Sequence, residues 1–86
     1  MAARILPEAR DDLREASRYY RSVKPPALGK QLAARVMTSF REALALVVAM
    51  PRSRPEHPEI PNTRYVLFQG FPYMLFYVVV GADVVV

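Results

Sequence analysis

Chemistry in this chain would have to come from very few residues. The one histidine, His57, stands in a proline-rich stretch between Glu56 and Glu59. Histidine suits proton transfer near neutrality and is the commonest metal ligand, but a metal site needs three or four donors. The sequence holds no cysteine and no second histidine to join it, so His57 reads as a solvated loop residue. Ser17, Ser22, Ser39 and Ser53 fall on predicted helices or in the loop and give a serine–histidine pair no support. The carboxylates Glu8 with Asp12, and Asp11 with Glu15, are spaced for one exposed helix face, where pairing with the interleaved arginines is the expected use rather than acid–base work. Gly29, Gly70 and Gly81 lie far apart and form no phosphate-cradling loop. The sequence therefore predicts no catalytic residue, no cofactor and no metal ligand set.

Arg64 is different. It opens a predicted strand directly after a long loop, and its only basic neighbours in that half of the chain are Arg52 and Arg54. A guanidinium there can grip a phosphate or a carboxylate with two parallel hydrogen bonds, or pair locally with Glu56 or Glu59. Both uses remain open on the sequence.

The elements that must position these residues follow from periodicity. Residues 3–6, Ala-Arg-Ile-Leu, read as a short strand closed by Pro7. From Glu8 to Val23, the positions Ala9, Leu13, Ala16, Tyr20 and Val23 recur at spacings of three and four, which predicts an amphipathic helix. Acids crowd its first turns and Arg18, Arg21 and Lys24 its last, complementing the helix dipole. The pair Pro25-Pro26 stops it. Leu28, Leu32, Val36, Phe40, Ala43, Leu44 and Val47 mark a second helix, ended by Met50 and Pro51, and the short connection makes the two a hairpin sharing one core. Residues 51–63 carry four prolines without periodicity and read as an extended surface loop. Strands follow at 64–69, 73–80 and 84–86, separated by Gly70 to Pro72 and by Gly81-Ala82-Asp83, in an antiparallel meander. In the middle strand the wholly apolar even positions Met74, Phe76, Val78 and Val80 are expected to face the helices. The odd face, with Tyr73, Leu75, Tyr77 and Val79, is then the one left for a partner to cover. For the preceding strand, Val66 with Phe68 and Tyr65 with Leu67 are both apolar pairs, and periodicity does not choose between them.

At 86 residues the chain is long enough for one domain with a modest core. Hydrophobic residues make up 52% against 23% charged, a balance that packs rather than stays disordered. The longest apolar run, Phe71 to Val80, is about half the roughly 20 residues a membrane-crossing helix needs. Arg4, Pro7 and Glu8 replace the apolar stretch of a signal peptide, so a cytoplasmic location is expected. The net charge of +4 is concentrated in residues 1–50, with nine Lys or Arg against five Asp or Glu. An acidic partner and ordinary solubility charge both account for it.

Taken in order, several segments resemble the ParE toxins of the RelE/ParE superfamily. They are ARILPEARDDLREASRYY, Gly29 at the helical turn, MPRSRPEHPEI, and RYVLFQGFPYMLFYVVVGADVVV. The similarity spans essentially the whole chain. Its most specific parts are Asp12-Leu13, Glu15-Ala16 and Tyr19-Tyr20, and an arginine seven residues before Phe-Pro-Tyr and an apolar strand. The resemblance implies an α+β fold, with a helical hairpin on one small antiparallel sheet. It also implies a type II toxin neutralised by a ParD-like antitoxin, of the kind associated with plasmid stabilization. ParE members inhibit DNA gyrase, whereas RelE members cut messenger RNA on the ribosome with basic residues and a tyrosine. One sheet arginine is a thin supply for that cleavage, so the ParE activity is expected, with RelE-like cleavage and a non-toxic antitoxin-binding remnant as the alternatives. Arg64, Tyr73 and Tyr77 are the implied target-binding candidates. Leu13, Tyr19, Tyr20, Val23 and Leu75 are those for the antitoxin. No membrane and no direct nucleic-acid contact are expected. Family members usually continue beyond the last strand into a basic tail, commonly with a histidine and arginines ahead of a proline. The resemblance thus implies that such a tail is missing here.

Overall fold

The computed structural model describes residues 3–86. A two-residue strand, β1 (Ala3–Arg4), leads into helix α1 (Pro7–Arg21) and then α2 (Pro26–Ala49). Three strands follow, β2 (Arg64–Leu67), β3 (Met74–Val80) and β4 (Asp83–Val85). Pro7 starts α1 because its fixed φ suits the first helical position, where no N–H is required. Ser22 ends it: its N–H turns back to the Arg18 and Tyr19 carbonyls, the Val23 N–H donates to the Tyr20 carbonyl, and the Ser22 hydroxyl donates to the Tyr19 carbonyl at 2.6 Å. The helix is therefore shorter than its apolar repeat, and Val23 lies in the turn. Pro26 opens α2 in the same way that Pro7 opens α1, so the proline pair begins the second helix as much as it ends the first. Gly29 lets the two helices cross. A Cβ on it would lie 2.5 Å from the carbonyl oxygens of both Arg21 and Val23.

The sheet order is β1-β4-β3-β2. The three C-terminal strands form the expected antiparallel meander, while β1 joins β4 in parallel, with Ala3 opposite Val84 and Arg4 opposite Val85, so the sheet is mixed. Gly81, at φ +61°, opens the two-residue turn between β3 and β4 in the left-handed conformation that suits a tight hairpin.

α2 is the core helix. Val36, Phe40, Ala43 and Val47 are buried against Val66, Phe68, Leu75, Tyr77 and Val84 of the sheet side. Burying each such large apolar side chain favours folding by about 1.5–3 kcal/mol. α1 has no buried residue, and Leu13 and Tyr20 only lean on this cluster. The hairpin thus shares one core unequally, with α2 packed into it and α1 packed mainly on α2.

The face of β3 is the reverse of the expectation. Leu75 and Tyr77 are 3% and 2% exposed, whereas Met74 and Phe76 on the even face are 48% and 41% exposed. Both sets are apolar, so alternation carried no sign; pairing decided it. Val66 is opposite Leu75, and the Phe68 N–H donates to the Tyr73 carbonyl at 2.9 Å, which brings Val66, Phe68, Tyr73 and Leu75 to one side. The apolar surface left open on the sheet is the even one.

Candidate functional site

α1 rests chiefly on α2 and meets the sheet side through side chains such as Tyr20, and a groove remains between α1 and the first half of β3. Ala9, Leu13, Ala16 and Tyr19 form one wall, and Phe40, Phe68, Tyr73 and Leu75 form the floor. Its cavity volume is about 670 Å³. An aromatic cluster closes one end: the Tyr20 ring lies 5.1 Å from Tyr19, 5.1 Å from Phe71 and 6.2 Å from Tyr73, all edge to face. Such pairs add about 0.5–1.5 kcal/mol each beyond burial and hold the wall in place. Burial, and then the neighbouring Tyr73, push the Tyr20 phenol above its ordinary value, so it stays neutral and donating.

The rim of the groove is acidic although the chain is basic. Glu8, Asp12 and Glu15 line it, spaced by four and three along α1. Arg10, Arg14, Arg18 and Arg21, spaced by four, four and three, run along the opposite flank of the apolar stripe. Among the described residues, the expected pairing of helix acids with arginines occurs at Asp11 and Arg14, 3.9 Å apart. Glu8 has Asp11 and Asp12, and Asp12 has Glu15 and Ala16, at the positions three and four on, so geometry denies both an arginine within the helix.

The far end of β3 is built in the opposite way. The Tyr77 hydroxyl donates to the Pro51 carbonyl at 2.6 Å. The Arg64 guanidinium donates to the Arg54 carbonyl and lies 3.6 Å from the Glu56 carboxylate. Glu56 also bridges Arg64 through the backbone, and His57 N–H donates to the Thr63 carbonyl at 2.7 Å. Burial raises the Tyr77 phenol, and the nearby Arg64 and Arg54 charges offset part of that rise. His57 is not simply solvated. Its ring packs edge-on at 6.0 Å from Tyr65 and 5.7 Å from Phe76, and its Nδ1 accepts the Glu59 N–H at 3.1 Å. The long loop is therefore pinned to the sheet through Pro51, Arg54, Glu56 and His57.

The structure separates the residues singled out for target contact. Arg64 and Tyr77 are opposite each other in the β2–β3 ladder. Tyr73 is four residues away along the strand direction, about 13 Å at roughly 3.3 Å per residue, and lines the groove. There it meets Leu13, Tyr19 and Leu75 of the antitoxin set, with Leu75 at the buried floor. Tyr20 stands behind them in the aromatic cluster, and Val23 lies in the helical turn. Sequence reasoning missed Ala9, Ala16, Phe40 and Phe68 as lining residues, and it missed the acidic rim. The rim was detectable: projected on a helix, the acids and arginines of α1 fall on opposite flanks of the apolar stripe.

A family model described as ParE toxin of type II toxin-antitoxin system, parDE, matches residues 3–86. Neither a search of curated proteins nor one of solved structures gave a significant match. With the helical hairpin, the four-stranded sheet and the match over nearly the whole chain, this chain belongs to the ParE toxin family of type II toxin-antitoxin systems.

Proposed function

We propose that this toxin acts by binding DNA gyrase, without bond chemistry of its own, and is neutralised by a ParD-like antitoxin segment lying in the groove between α1 and β3. The observation that carries this proposal is the division of β3. Its Tyr77 end uses the side chains of Arg64 and Tyr77 to hold a loop, while its Tyr73 end lines an apolar groove. Cleaving RNA requires cations free to meet a phosphate, and the Arg64 guanidinium is held by the Arg54 carbonyl and by Glu56. That arrangement supports target binding over RelE-like cleavage. Arg64 and Tyr77 then act on the target by fixing the loop that carries Arg52 and Arg54. Tyr73, with Leu13, Tyr19, Tyr20 and Leu75, belongs to the antitoxin surface, and Val23 supports it from the turn. No helix among the described residues is long and apolar enough to cross a membrane, and the proposed place of action is the cytoplasm, where gyrase works.

A supercoiling assay with purified gyrase tests the proposal. Inhibition by this protein that is reversed by the product of the neighbouring antitoxin gene is the expected result. Unchanged supercoiling with cut translated messenger would replace it by the RelE-like activity, and harmless expression without the antitoxin would leave a binding remnant.

A further inference from the structure

The cations of the helical hairpin are gathered on one face. Arg10, Arg14, Arg18 and Arg21 follow one flank of α1, turned away from the groove and its acidic rim. On α2, Lys30 and Arg41 are three turns apart and share a flank with Met37 and Leu44, which are half-buried against the core. The other flank of α2, with Arg35 and Glu42, lines a cavity beside Gln69 and Gly70 of the β2–β3 turn. The helices are antiparallel and cross where Gly29 meets the Arg21 and Val23 carbonyls. Lys30 therefore lies at the Arg21 end of the first row and Arg41 at its Arg10 end. Each row spans three turns, about 16 Å, on helices packed about 8–10 Å apart. Together the rows cover the side of the hairpin opposite the sheet.

The sequence reading expects no direct nucleic-acid contact, but a net charge of +4 averages over a surface on which the fold separates the two signs. All six cationic residues are exposed, and among the described residues only Arg14 of the six has an ion pair, with Asp11. Glu8, Asp12 and Glu15 turn to the groove and Glu42 to the far flank of α2. The face names the chemistry of what it meets. Its charges recur about every 6 Å along α1, which suits a partner charged at every unit of its length, and duplex DNA carries a phosphate per about 3.4 Å along each strand. Five of the six are arginine, whose planar fork meets phosphate oxygens with two parallel hydrogen bonds. No aromatic ring stands among them, since Tyr19 lines the groove and Tyr20 packs on Phe71, so unpaired bases would find nothing to stack on.

We propose that this basic face binds the phosphate backbone of duplex DNA without reading its sequence. Each guanidinium that meets a phosphate releases a condensed counterion, which makes the affinity steeply salt-dependent. The contact involves neither the groove nor Arg64 nor the loop at 51–63, so it holds whichever target the toxin has and leaves the groove accessible to the antitoxin.

Fluorescence anisotropy of a labelled duplex of about 20 base pairs, titrated with the full chain at several salt concentrations, tests it. Affinity is expected to fall at least a hundredfold between about 50 and about 200 mM salt, with a log–log slope of about −4 to −5. The double variant Arg10→Gln, Arg18→Gln is expected to melt like the parent and to flatten that slope by about two. Arg41→Gln flattens it by about one, whereas Arg35→Gln, the same charge change on the opposite flank of α2, leaves it at the parent value. Absence of binding at about 50 mM salt, or equal effects of Arg35→Gln and Arg41→Gln, overturns the face as a site. Polyglutamate that displaces the duplex at equal charge concentration would give the face to an acidic protein segment, and tighter binding of oligo-dT would give it to single strands. Either result overturns the duplex.

Discussion

The two ends of β3 are made from similar residues and solve opposite problems. At the far end, the Tyr77 ring is buried, its hydroxyl is answered by Pro51, and Arg64 is answered by Arg54 and Glu56. At the near end, Tyr73 and Leu75 line a cavity, and the acids of its rim have no ion pair among the described residues. The difference separates the end where the chain holds its own shape from the end that the proposed function gives to the antitoxin. Polar groups that are satisfied inside the chain fix the loop, while the groove keeps an apolar floor under an acidic rim.

The strongest way to break this contrast is to truncate one tyrosine from each end. Tyr77→Ala removes a buried ring and is expected to cost about 3–5 kcal/mol in denaturant unfolding. Tyr19→Ala, on a ring 63% exposed, is expected to change stability by less than about 0.5 kcal/mol while weakening antitoxin binding. Equal losses of stability would erase the distinction. Arg64→Ala comes next. It leaves the loop carbonyl and Glu56 without their guanidinium and is expected to cost about 1.5–3 kcal/mol, with faster proteolysis confined to residues 51–63. Groove binding should be unaffected. Gly29→Ala attacks the near end from behind: the added methyl cannot fit 2.5 Å from two backbone oxygens, so α1 must shift off α2. A loss of about 1–3 kcal/mol is expected, with altered groove binding and an unchanged proteolysis pattern in the loop.

The smallest effect is alkaline. Both Tyr20 and Tyr77 have folded pKa values raised above the ordinary tyrosine value of 10.0, in each case chiefly by burial. The stability held in their neutral forms is complete below the unfolded pKa and is lost as pH rises through the folded values. Denaturant midpoints are expected to be flat below the unfolded pKa and to fall above it, and Tyr77→Phe should flatten part of that fall. A midpoint that rises with pH in this range would contradict the burial of both hydroxyls.

Much of this architecture was legible from local chemistry. Pro7 suited the start of the first helix and Pro25-Pro26 marked its end, the spacing of Leu13, Ala16 and Tyr20 marked an amphipathic face, and Gly81 marked a hairpin. The face of β3 was not legible, because Met74 and Phe76 are as apolar as Leu75 and Tyr77, and alternation only separates unlike residues. The role of Arg64 was also beyond local reading. Its partner Arg54 lies ten residues back, and only the fold of the loop brings that carbonyl to the guanidinium.

By itself the sequence determined the element types, their order, and the family, since these follow from propensity, periodicity and motif spacing along the chain. The tertiary structure alone decided which side of the sheet is buried, which arginine is occupied, and where the open groove lies with its acidic rim. These depend on strand register and on how far α1 stands from the sheet, and both are set by contacts between residues distant in sequence.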